Sequence, residues 1–127
     1  MPPFPIARIN PAGGAPHVEI FFGHGHFAKY EIWLRKQTPP FPPKRIGFGV
    51  NNDTIPDIAP LTDPLPILHQ SVVWWRAAVA DPMGTPGAQY SVSIRVMQDG
   101  NVIAADSKTG TVTGTPISGF IGLEVGS

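Results

Sequence analysis

The stretch Tyr90-Ser91-Val92-Ser93-Ile94-Arg95-Val96-Met97-Gln98-Asp99-Gly100-Asn101-Val102-Ile103-Ala104-Ala105 decides the fold class. Apolar residues take alternate positions from Tyr90 to Val96, the two-residue repeat of a strand with one buried face. Asp99-Gly100 then supplies both positive-φ positions of a type I′ turn, the strongest local signal for a two-residue hairpin. Carrying the register on from that turn sets Val96 opposite Ile103 and Ile94 opposite Ala105, so that apolar residues of both strands share a face. The chain is expected to be antiparallel β.

The same alternation recurs on both sides of the hairpin. Residues 17–22 set Val18, Ile20 and Phe22 on one face. After a turn at Gly23-His24-Gly25, residues 26–35 point Ala28, Tyr30, Ile32 and Leu34 inward and Lys29, Glu31 and Trp33 outward. Residues 45–50 space Ile46, Phe48 and Val50 with Gly47 and Gly49. Residues 69–79 form the most apolar strand, where adjacent Trp74 and Trp75 put bulk on both faces. Residues 111–113 and 118–125 complete the set. Between these blocks lie a stiff Pro-rich loop at 36–43 and a long loop at 51–67 with four prolines and three aspartates.

About eight short strands without a helix predict a single antiparallel β-sandwich of immunoglobulin, C2 or jelly-roll type, ahead of a small barrel. Residues 1–16, with five prolines and no alternation, are expected to be an arm along the surface or edge of the sheet, leaving residues 17–127 as the sandwich domain.

Composition narrows the function classes. A chain of 127 residues is expected to be one domain with a sufficient core of its own. Fourteen glycines and sixteen prolines would fit disorder, but 42% apolar residues in alternating blocks argue against it. Nine basic and nine acidic residues cancel, which disfavours nucleic-acid binding because phosphates demand a positive excess. The absence of cysteine excludes disulfides and thiolate metal sites. No apolar run approaches the roughly 20 residues of a membrane span. Met1-Pro2-Pro3-Phe4-Pro5 lacks the basic and apolar regions of a cleaved signal, so the expectation is a cytosolic protein or export without such a signal.

Four groups of residues could carry function. His24 and His26 stand two apart and can point the same way in extended chain, as a transition-metal pair requires. Pairing the flanking strands about that turn brings His17 near Glu31, so the third ligand is missing. Asn51, Asn52, Asp53 and Asp57, with Asp63 nearby, offer oxygens suited to calcium or to sugar hydroxyls, and are equally the residues that turns select. Pro40-Phe41-Pro42-Pro43-Lys44-Arg45 fits a P-x-x-P-x-R pattern and holds Phe41 at the tip of a rigid loop. Trp33 and one of Trp74 and Trp75 should face outward, as a platform for a sugar ring or a partner's apolar side chain.

There is no G-x-S-x-G elbow, no H-E-x-x-H and no phosphate-cradling glycine loop. The expectation is a non-catalytic, lectin-like binding module for a carbohydrate or protein partner. The alternatives are a structural subunit that forms a homo-oligomer through its apolar outer face and arm, and a metal-dependent activity at His24 and His26.

Overall fold

A computed structural model of the chain describes residues 5–23, 27–36, 43–51, 57–62, 64–80, 87–113 and 116–126, with Phe27, Lys36 and Asn51 as backbone. These residues form β1 (Ile6–Ile9), β2 (His17–Phe22), β3 (Phe27–Lys36), β4 (Lys44–Asn51), β5 (Asp57–Pro60), α1 (Leu65–Leu68), β6 (Ser71–Ala80), β7 (Gln89–Gln98), β8 (Asn101–Thr111) and β9 (Ile117–Val125). One sheet has the order β1-β9-β6-β3-β4 and the other β5-β2-β7-β8. The two stack as a β-sandwich and do not close into a barrel.

The alternation read from the sequence builds the core. Val18, Ile20 and Phe22 of β2 and Val92, Ile94 and Val96 of β7 meet Ile32 and Leu34 of β3, Val73, Trp75 and Val79 of β6, and Ile121 and Leu123 of β9. Full burial of each aliphatic side chain contributes roughly 1.5–3 kcal/mol. Trp75 is wholly enclosed, at 0% exposure. A buried indole N–H needs an acceptor, and Nε1 donates to Oδ2 of Asp106 at 3.1 Å. A Cβ at Gly119 would collide with both partners, so β9 can pass over this pair only with glycine there.

Asp106 reaches the core through a departure from the expected register. Asp99 and Gly100 adopt φ of 53° and 77°, as a type I′ turn requires. Gln98 then pairs with Asn101 and Met97 with Val102, but Val96 pairs with Ala104 and Ile94 with Asp106. Ile103 is the extra residue of a β-bulge, which slides the rest of β8 by one and exchanges its faces. The expected pairs Val96–Ile103 and Ile94–Ala105 are therefore replaced, and Ala104 and Asp106 face inward instead.

Two further expectations are corrected. Residues 17–22 and 26–35 do not form a hairpin: β2 lies between β5 and β7, and β3 between β4 and β6, in opposite sheets. His17 consequently pairs with Met97 and not near Glu31. The 51–67 segment is not all loop, since β5 falls inside it and α1 begins in it. Strand β5 is too short to show a repeat, yet it seats Ala59 in the core, and α1 buries Leu68. At the start of the chain, Ile6–Ile9 adds a parallel edge strand to β9 and sends Ala7 and Ile9 into the core.

Buried Gln98 fastens the segment after β1 to the hairpin. Its Nε2 donates to the carbonyls of Asn10 (2.8 Å) and Gly14 (2.9 Å), and its Oε1 accepts from the Asn10 N–H at 2.9 Å. The Asp99 carboxylate takes the Gly14 N–H.

At the opposite edge Gly47 and Gly49 of β4, and not Phe48 and Val50, face the other sheet. A Cβ at Gly47 would lie 3.0 Å from the Ala59 Cβ, and one at Gly49 would lie 3.2 Å from the Tyr30 hydroxyl. This close approach lets Tyr30 donate to Oδ2 of Asp57 at 2.7 Å. It also turns Phe48 and Val50 to solvent, at 64% and 56% exposure.

Candidate functional site

Pairing of β4, β3, β6 and β9 stacks outward side chains into rows across the larger sheet. One row runs Arg45, Trp33, Trp74, Phe120. The next runs Phe48, Glu31, Arg76, Ser118, and beyond it Val50, Lys29 and Ala78 lie level. The Trp33 and Trp74 rings are 6.3 Å apart at a tilt of 34°, within the range of favourable aromatic pairs. Phe120 continues the row at 41% exposure.

Polar contacts hold part of this face in place. Glu31 accepts from Trp33 Nε1 at 3.3 Å through one oxygen, and the other lies 3.5 Å from Arg45 Nη1. The Arg45 guanidinium stacks 4.1 Å from the Phe48 ring centre and 6.0 Å from that of Trp33. Beside the tryptophan row an open groove of about 610 Å³ is lined by Lys29, Arg45, Phe48, Val50, Arg76 and Pro116, among others.

The outer face of the smaller sheet is built differently. Glu19 is held from two sides, by His17 Nε2 at 3.0 Å and by Arg95 Nη2 at 3.0 Å, and Arg95 also covers the Phe21 ring at 4.9 Å. The hydrogen bond to His17, joined by the Arg95 guanidinium, keeps the Glu19 carboxyl below its ordinary range although burial opposes this. Ser91 and Ser93 of β7 stand level with Thr109 and Ser107 of β8, giving a face of hydroxyls.

The residues singled out in the sequence separate accordingly. Trp33 and Trp74 come together on the outer face, half-buried. Trp75 is enclosed by the core, which removes it from any surface platform. Asp57 is engaged by Tyr30, whose phenol is pushed up from its ordinary value by burial and by that bond. Asn51 ends β4, where it is described as backbone. His24, His26, Phe41, Asn52 and Asp53 lie outside the described residues. His69, unplaced by the sequence, accepts the Val125 N–H on Nδ1 at 3.0 Å, so that nitrogen carries no proton there.

No group of three or more metal-ligating side chains gathers among the described residues. None of their helices is long and apolar enough to cross a membrane.

Sequence reasoning names Arg45 only as the end of the Pro-rich pattern and does not single out Phe48, Arg76 or Phe120. The signal for Arg76 and Phe120 was present: Arg76 stands two residues from Trp74, and Phe120 precedes inward Ile121. Only strand pairing joins them into one surface. Compared with known protein families, with curated proteins and with solved structures, the chain matches none.

Proposed function

We propose that this protein is a non-catalytic binding module that meets a carbohydrate or protein partner with the outer face of its larger sheet. The observation that carries the reading is the row Arg45–Trp33–Trp74–Phe120, in which half-buried Trp33 and Trp74 and the more exposed Phe120 share one outer face. Rigid strands position these rings, so little conformational entropy is lost when a flat ligand stacks on them. Sugar rings present C–H faces suited to such stacking, and a carbohydrate is the first partner to test. On a glycan array the protein should bind with an affinity that Trp33→Ala or Trp74→Ala lowers at least about tenfold, the loss of one stacking contact of about 1.4 kcal/mol. An array without binding, or binding indifferent to both substitutions, would overturn the carbohydrate reading.

A second reading, assembly with other copies of the chain, draws support from Phe48 and Val50 on edge strand β4. Exposed apolar side chains beside unpaired backbone groups are what a partner's edge strand covers. Light scattering at tens of micromolar decides this, because a strict monomer excludes it.

A further inference from the structure

We propose that the ligand of the tryptophan face is an acidic glycan, one bearing carboxylate or sulfate groups; this rests on the carbohydrate reading above and names its class. The argument is the charge left over on that face. Among the described residues its cations are Arg8, Lys29, Arg35, Arg45 and Arg76, against the acids Glu31 and Glu124. Both acids are already engaged, Glu124 by Arg8 at 3.0 Å and Glu31 by Arg45 at 3.5 Å. Lys29, Arg35 and Arg76 make no ion pair among the described residues.

Register then sets the unpaired cations around the rings. Arg35 stands two residues beyond Trp33 on β3, level with Val72, and Arg76 stands two residues beyond Trp74 on β6, level with Glu31. The strands are antiparallel, so the two guanidinium-bearing positions flank the tryptophan pair from opposite ends. They are about 13 Å apart along the sheet, four residues at roughly 3.3 Å each. Lys29 continues the positive side into the groove beside Phe48 and Val50. A polymer crossing the face would rest ring faces on Trp33 and Trp74 and meet a cation on either side. Arginine suits this task, because its planar fork matches carboxylate and sulfate oxygens. Nucleic-acid binders usually carry a strong positive excess over the whole domain, which this neutral chain lacks.

The experiment compares polygalacturonate, a neutral glucan and single-stranded poly(dT) by affinity electrophoresis at low salt and at about 0.5 M NaCl, where screening reaches only a few ångströms. At low salt polygalacturonate should bind about tenfold more tightly than the glucan, the sum of two or three exposed ion pairs, and the advantage should vanish at high salt. Arg35→Gln combined with Arg76→Gln should remove the advantage and leave glucan binding in place. Trp74→Ala should weaken both, with thermal denaturation showing each variant folded.

Equal binding of the neutral and acidic polymers, or an acidic preference that salt leaves intact, overturns this inference while the carbohydrate reading stands. Tighter binding of poly(dT) than of polygalacturonate overturns it in favour of a nucleic-acid ligand. Binding of none of the three at any salt concentration overturns it together with the carbohydrate reading.

Discussion

The two outer faces of this sandwich use the same residue types to opposite ends. On the smaller sheet Glu19, His17, Arg95 and Phe21 close on one another, so that the charge and the ring are occupied within the fold. On the larger sheet Trp33 and Trp74 are half-buried and Phe48 and Phe120 exposed, and Lys29, Arg35 and Arg76 beside them make no ion pair among the described residues. A face whose charges pair with one another is electrostatically complete and stabilises the protein. A face left incomplete is where a partner can add something. Adjacent Trp74 and Trp75 repeat the contrast within one strand, because the pleat sends one indole outward and the other to Asp106.

Substitutions can break or sharpen this comparison. Trp75→Ala should have the largest effect, lowering stability by about 3–5 kcal/mol in chemical denaturation, with cavity formation and an orphaned Asp106 contributing. Trp74→Ala should lower stability by no more than about 1 kcal/mol while weakening ligand binding. If the two losses were equal, the outer tryptophan would be structural and the comparison would fail.

On the smaller sheet, Arg95→Ala should lower stability by about 1–2 kcal/mol, because it strips a half-buried carboxylate of a charged partner. The Glu19 carboxyl also gives a pH signature. Its value in the folded protein lies below the ordinary 4.5, so the unfolded chain takes up the proton more readily. The stabilisation is complete above about pH 4.5 and is lost as pH falls through the folded value. Glu19→Gln should flatten the acid limb of a stability–pH profile, and an unchanged limb would show that the network contributes nothing.

The smallest effects belong to the larger sheet. Arg76→Ala and Lys29→Ala should each change stability by less than about 0.5 kcal/mol, since neither side chain has an ion pair to lose. A loss comparable to that of Arg95→Ala would mean that this face too is complete in itself.

Much of this was legible in adjacent residues. The Asp99-Gly100 turn, the inward sets of β2, β3, β7 and β9, and the outward direction of Trp33 follow from φ requirements and from the two-residue pleat. Both are local, so neighbouring residues specify them. The bulge at Ile103 was not legible, because inserting one residue into a ladder is decided by what the far side must meet, here the Trp75 indole seeking Asp106. Strand β5 and helix α1 were missed because four residues cannot display a period.

By itself, then, the sequence determined that alternating strands would bury one side and expose the other, and that one hairpin would turn at Asp99-Gly100. Only the tertiary structure decided that β2 and β3 part into different sheets, which of two neighbouring tryptophans meets solvent, and which cations stand beside it without a partner. The physical reason is range. Backbone dihedrals and pleat are set between adjacent residues, whereas the choice of a strand's neighbours balances loop closure against burial and pairing across the whole chain.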